Sequence, residues 1–193
     1  MTALPKSAHV VCFGELLARL SPEAGTPLAR AHSLALAIGG AEANVAIALS
    51  SLGLPVAMLS AVADSPTGRR ALAALGEAGV DRQFIRRKAG RMGLYFFEPP
   101  SGPIGGRVTY DRAGSVFALT DPAELDFGAA LKGAGLLHLS GITPALGPAG
   151  VELARAAVNA AADAGVPVCF DGNYRASLWE AWDSDPRGVL TEL

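Results

Sequence analysis

Ala164-Gly165-Val166-Pro167-Val168 closes one segment and opens the next, and the same punctuation stands at Leu52-Gly53-Leu54-Pro55-Val56 and Ala78-Gly79-Val80-Asp81. In each, glycine supplies the left-handed conformation found past a helix end. An apolar residue, twice followed by proline, then starts an element that cannot continue the helix. Upstream of these junctions, Val45, Ala48, Leu49 and Leu52 keep helical spacing, and so do Val151, Ala154, Val158 and Ala161 opposite Glu152, Arg155, Asn159 and Asp163. The runs at 9–13, 56–62, 136–140 and 168–171 are continuously apolar rather than alternating, which is the mark of strands covered on both faces. Helices with one apolar face alternating with such strands predict an α/β fold with a doubly wound, mostly parallel sheet.

The composition fits that reading. Half of the 193 residues are hydrophobic, and 16 basic against 18 acidic side chains leave a formal net charge of −2. Disorder requires low hydrophobicity with high net charge, and nucleic-acid binding usually brings a basic excess; neither is present. Cys12 and Cys169 stand in separate apolar runs without metal-ligand spacing and read as reduced core thiols. Residues 43–63 carry no charge over a membrane-spanning length, but Gly53-Leu54-Pro55 divides them, so a helix followed by a buried strand is expected instead. The N-terminus lacks the basic-then-apolar order of a signal peptide, and the expected location is the cytoplasm.

Two regions depart from the rhythm. Residues 93–98 and 107–112 are separated by Pro99-Pro100-Ser101-Gly102-Pro103 with no helix between them, predicting a β-hairpin-like flap able to cover a site. Asp185-Pro186-Arg187 opens a helix, with proline at its first position, only a few residues before Leu193. A domain rarely ends in the first turns of an element. The expectation is that 1–193 forms the N-terminal portion of an α/β domain whose C-terminal part lies beyond the chain.

Several motifs are absent: there is no G-x-x-x-x-G-K-[ST], no strand-linked G-x-G-x-x-G and no H-E-x-x-H. His9, His32 and His138 lie far apart without ligand spacing, so no protein-bound metal is expected. Three segments carry chemistry. Gly39-Gly40 precedes the helix beginning Ala41-Glu42-Ala43-Asn44; glycines let a ligand approach the backbone, free N–H groups at a helix start bind oxygen, and Asn44 lies about one turn in. A tight turn with Asn44 bonding locally is the alternative. On the flap, alternation puts Val108, Tyr110 and Arg112 on one face, a hydroxyl beside a planar guanidinium that reads carboxylates bidentately, with Tyr95 on the partner strand. A solvated hairpin face is the alternative there. Asp171-Gly172-Asn173-Tyr174-Arg175 follows a buried strand, at the carboxyl end where open α/β sheets bind ligands. If extended, it projects Asp171, Asn173 and Arg175 from one face; a capped loop is the alternative.

Together these segments resemble the ribokinase (PfkB) sugar kinases. The resemblance runs from Val10 to about Trp182. It rests on Phe13-Gly14-Glu15, Gly39-Gly40-Ala41-Glu42-x-Asn44-Val45-Ala46, Gly93-Leu94-Tyr95, Tyr110-x-Arg112, His138-Leu139-Ser140-Gly141-Ile142-Thr143 and Asp171-x-Asn173-Tyr174-Arg175. The Leu139 to Thr143 and Asn173-Tyr174-Arg175 segments point to the keto-deoxygluconate branch. The resemblance implies ATP-dependent phosphorylation of the terminal hydroxyl of 2-keto-3-deoxygluconate, with Mg²⁺ carried by the nucleotide. It implies that Gly40, Asn44, Tyr95, Tyr110 and Arg112 contact the sugar acid and that Asn173 and Arg175 lie towards the phosphate-transfer side. It also implies a β lid, from segments near 14–38 and 91–112, through which the protein forms a homo-oligomer. Catalysis in this family uses an aspartate base in a G-A-G-D motif, with a helix start stabilising the transferring group. Gly133-Ala134-Gly135 is followed by Leu136, so no catalytic base is assigned within this chain, which is expected to be inactive by itself. Two arginines near the site favour an acid substrate, because an unpaired buried guanidinium is costly. The alternatives are a kinase for fructose or another ketose, and a truncated sugar-binding homologue without catalysis.

Overall fold

The computed structural model describes residues 8–101 and 105–193. Gly102 and Pro103 of the flap connection, and the N-terminal residues read for a signal peptide, lie outside them. Five parallel strands form the central sheet: β1 (His9–Phe13), β4 (Val56–Ala63), β5 (Ile85–Lys88), β8 (Ala134–Ser140) and β9 (Val168–Asp171), in the order β5-β4-β1-β8-β9. Four others form a second sheet in the order β3-β2-β6-β7: β2 (Leu17–Ser21), β3 (Ala35–Gly39), β6 (Gly93–Glu98) and β7 (Arg107–Asp111). Strands β6 and β7 pair antiparallel, as the flap sequence predicts, while β2 joins β6 in parallel and β3 antiparallel. The helices are α1 (Ala41–Ser51), α2 (Pro66–Glu77), α3 (Phe127–Leu131), α4 (Ile142–Ala145), α5 (Pro148–Asp163), α6 (Ala176–Trp179) and α7 (Pro186–Glu192). Among the described residues no helix is long and apolar enough to cross a membrane.

The glycines of the three junctions, Gly53, Gly79 and Gly165, have φ of 81°, 78° and 66°, the left-handed region in which side chains with a Cβ are strained. Ser65 and Asp185 cap α2 and α7 by accepting the N–H groups of Gly68 and Gly188, each cap followed by proline at the first helical turn. Every residue of β4 is buried, and Val11, Cys12 and Phe13 of β1 are sealed from solvent. Phe13 packs against Phe117 and Phe127, with ring centroids 5.7 and 5.3 Å away. Of the predicted inner face of α5, Val151, Ala154 and Ala161 are buried and Val158 is half-buried, with Leu153 and Ala157 buried beside them.

Three expectations need correction. Helix α1 does not bury Ala48 and Leu52: both are exposed, Leu52 by 77%, and the buried residues are Glu42, Ala43 and Ala46. The helix approaches β1 and β4 through small side chains, which a hydrophobicity pattern weighted towards leucine does not register. Strand β9 is an exposed edge rather than a strand covered on both faces, because among the described residues only β8 adjoins it. For the same reason Cys169 is exposed, and only Cys12 is a core thiol.

Candidate functional site

Strand β1 lies at the centre of the sheet; the chain fills one side of it with β4 and β5 before crossing to β8 and β9 on the other. The carboxyl ends beside such a reversal leave a crevice in which open α/β sheets take ligands. A cavity of ≈ 260 Å³ opens there, walled by the second sheet through Leu17, Tyr95, Val108 and Tyr110, and by the central sheet's connections through Gly40, Asn44, Ile142, Asn173 and Arg175. The seven residues that the family resemblance assigns to the site, Gly40, Asn44, Tyr95, Tyr110, Arg112, Asn173 and Arg175, all line this one cavity.

Each reaches it for a local reason. Gly40 precedes α1 with φ 141°, and a Cβ there would stand 2.3 Å from the Glu15 carbonyl oxygen, so glycine alone fits. Among the described residues no side chain caps this helix start, and Asn44 stands one turn in, its N–H bonded to the Gly40 carbonyl at 2.9 Å. Tyr95 and Tyr110 are register partners on β6 and β7, with ring centroids 5.9 Å apart. The Tyr95 hydroxyl lies over Gly39, where a Cβ would meet it at 2.6 Å. Asn173 and Arg175 follow β9. Asp171 is not on the cavity wall: its carboxylate accepts the Asn173 N–H at 3.0 Å, the local bond of a capped loop.

Arg112 departs from the sequence expectation in another way. Its side chain is 7% exposed and its guanidinium already has a counter-ion: Nε donates to Glu15 Oε2 at 2.8 Å, and Nη2 donates to the same oxygen. Ser115 Oγ donates to Glu15 Oε1 at 2.5 Å, and the Tyr110 ring centre lies 5.6 Å from the guanidinium carbon. A buried arginine here therefore does not by itself demand an acidic ligand, since Glu15 answers the charge within the protein. Arg175 is exposed and makes no ion pair among the described residues.

Sequence reasoning gave no role to the two buried carboxyls that also line the cavity, Glu15 and Glu42. Their signal was a charged residue inside an apolar or glycine-rich run, at Phe13-Gly14-Glu15 and Ala41-Glu42-Ala43. Glu42 accepts from Ser140 Oγ at 2.5 Å, which fastens the start of α1 to the end of β8. Burial pushes its carboxyl above the ordinary 4.5, against the opposing pull of the Ser140 hydrogen bond. Gly14 makes room for it, since a Cβ there would stand 2.1 Å from Glu42 Oε2. Burial and then the Glu42 charge push the Cys12 thiol up to about 12. Burial also pulls the His138 imidazole below its usual range. Among the described residues no cluster of three or more His, Cys, Asp or Glu side chains is placed to hold a metal ion.

A cavity rich in hydroxyl, amide and guanidinium groups, at the carboxyl ends of parallel strands and beneath a second sheet, suits a small polyhydroxylated ligand. The chain is 38% identical over 187 residues to a 2-dehydro-3-deoxygalactonokinase of Haloferax volcanii, an alignment covering 97% of this chain and 58% of that protein. A 2-dehydro-3-deoxygluconokinase of Thermotoga maritima superimposes with a TM-score of 0.86 at 37% identity, over 89% of this chain and 53% of that one. A fructokinase of Xylella fastidiosa with bound ATP superimposes with a TM-score of 0.80 at 26% identity, over 94% and 53%. The chain thus spans little more than half the length of these relatives. A model of the pfkB family carbohydrate kinases matches residues 7–190, and the chain belongs to that family.

Proposed function

We propose that the protein containing this chain is a sugar-acid kinase that transfers the γ-phosphoryl of ATP to the terminal hydroxyl of 2-keto-3-deoxygluconate, giving 2-keto-3-deoxy-6-phosphogluconate. The observation that carries the reading is the convergence of Tyr95, Tyr110 and Arg112 from the second sheet with Gly40 and Asn44 from the start of α1 on a single small cavity. In this reading the second sheet is a lid. The two tyrosines and Asn44 hold hydroxyls, Gly40 admits the ligand to the backbone, and Arg112 meets the carboxylate. Asn173 and Arg175 face the phosphates: an exposed guanidinium that makes no ion pair among the described residues is a suitable donor to phosphoryl oxygens. The nucleotide supplies the phosphoryl group, and Mg²⁺ arrives on its phosphates, bound there rather than in a protein cage. The aspartate base belongs to a G-A-G-D segment that 1–193 does not contain, so these residues alone are expected to be inactive. A homo-oligomer formed through the lid and a cytoplasmic setting complete the proposal.

A neutral ketose such as fructose is the second reading, and one observation favours it: Glu15 already neutralises Arg112. An ADP-release assay on the full-length protein over sugar acids and ketoses separates the two. A preference for 2-keto-3-deoxygluconate supports the first, and a preference for fructose replaces it with the second.

A further inference from the structure

A guanidinium carries two forks of parallel N–H groups: one from Nε and Nη2 along its side, the other from Nη1 and Nη2 across its end. In Arg112 the side fork is taken, because Nε and Nη2 both donate to Glu15 Oε2. Nη1 makes no hydrogen bond among the described residues, and Arg112 lines the cavity. The ring of Tyr110 lies near the guanidinium. Glu15 is held in its turn by Ser115 Oγ on its other oxygen, and Gly93 leaves room for it, since a Cβ there would stand 2.5 Å from Glu15 Oε1.

We infer that Glu15 is a positioning residue: by occupying the side fork of Arg112 it fixes the plane of the guanidinium and leaves the end fork for the carboxylate of the sugar acid. This rests on the acid reading of the preceding subsection and gives that site its means of orienting the acid group. Paired this way, Arg112 is neutralised and still able to recognise an anion. The Glu15 charge keeps a buried arginine acceptable without a ligand, while the unspent fork retains bidentate geometry. A loose arginine would have to be ordered by each incoming substrate; one held from the side is ordered beforehand.

The test uses the full-length protein and measures kcat, KM for 2-keto-3-deoxygluconate, KM for ATP and the calorimetric Kd of the sugar acid. Glu15→Ala is expected to raise KM and Kd for the acid at least about tenfold, the scale of a misplaced contact, with KM for ATP within about twofold. Glu15→Gln retains a carbonyl acceptor for the side fork and an amide facing Ser115 Oγ; it is expected to keep acid binding within about threefold and to stay folded if the alanine variant does not. In an Arg112→Ala background, Glu15→Ala should add less than about twofold, because the two residues act as one unit. Acid binding unchanged or tightened by Glu15→Ala overturns the assignment. So does a Gln variant as weak as the Ala variant, or an equal rise in KM for acid and ATP. A wild-type protein that neither binds nor phosphorylates the acid removes the substrate reading before any variant is compared, and this inference with it.

Discussion

Arg112 Nε donates to Glu15 Oε2 across 2.8 Å, joining the residue that leaves β7 to one that leaves β1, 97 positions earlier, with both side chains almost sealed from solvent. Removing one partner of such a pair strands the other charge, at a cost of about 3–5 kcal/mol. Arg112→Ala is therefore expected to lower unfolding stability by that order, and Glu15→Ala added to it should restore part of the loss, since no isolated charge then remains. Urea titration of the two variants checks this; a single variant within about 0.5 kcal/mol of wild type would mean the pair is solvated.

Tyr95 and Gly39 make a second coupled pair. Gly39 has ordinary strand φ, so the backbone accepts alanine, but the added Cβ would lie 2.6 Å from the Tyr95 hydroxyl. Gly39→Ala should destabilise by about 1–3 kcal/mol and raise the sugar KM by displacing that ring. Combining it with Tyr95→Phe deletes the colliding oxygen, so the double variant should bind sugar no worse than Tyr95→Phe alone. A double variant that loses as much again would move the constraint to the strand backbone.

Glu42 gives a pH dependence of defined sign. Its carboxyl lies above 4.5 in the folded state because of burial, so folded protein holds the proton over a range where unfolded protein has released it. Stability from this group is full below 4.5 and declines as the pH rises through the elevated value. The charged and titratable groups that bear on it are Glu15 and Cys12, which disfavour ionisation or share in its repulsion, and Arg112, which favours it. Glu42→Gln keeps an acceptor for Ser140 and should leave Tm near wild type at pH 4 and raise it, relative to wild type, as the pH climbs. Parallel melting curves at every pH would show that Glu42 titrates as an exposed carboxyl does.

Arg175 is exposed, so its replacement by alanine should leave Tm unchanged. If it holds phosphoryl oxygens, KM for ATP should rise by roughly ten- to hundredfold, the equivalent of about 1.5–3 kcal/mol for one charge-assisted bond. Sugar affinity measured without nucleotide should not move. Weakened sugar binding with ATP unaffected would transfer Arg175 to the acceptor side.

What the sequence made legible was whatever is decided within a few residues. Gly53, Gly79 and Gly165 announce the alternating fold because a left-handed turn is a local necessity, Asn44 and Asn173 stand out as polar groups at the ends of apolar runs, and Tyr110 follows from strand alternation on the flap. The Glu15–Arg112 and Glu42–Ser140 partnerships were not legible, since spacings of 97 and 98 residues leave no periodic trace. Helix α1 was misread for a different reason. Alanine contributes little to a hydrophobic pattern, yet Ala43 and Ala46 are what let the helix settle closely on the sheet, while Leu52 faces outward. Asp171 resembles a site residue in sequence because nothing in the chain reveals that its carboxylate is taken by the Asn173 N–H two positions on.

The two borders of the central sheet differ in character. On β5 the outermost strand carries Arg86, Arg87 and Lys88, with Arg87 tied to Asp64 and Lys88 to Glu124. On β9 the border is Val168, Cys169 and Phe170, exposed or half-exposed and without a basic side chain. An open row of peptide groups is a template for another strand, and clustered cations are what discourage it. The sheet is accordingly directional: a further strand can be added beside Val168–Asp171, and the β5 side repels one. Crowding or heat should make copies of this chain join by that border first, and Val168→Lys is the smallest change that would give the molecule two guarded margins.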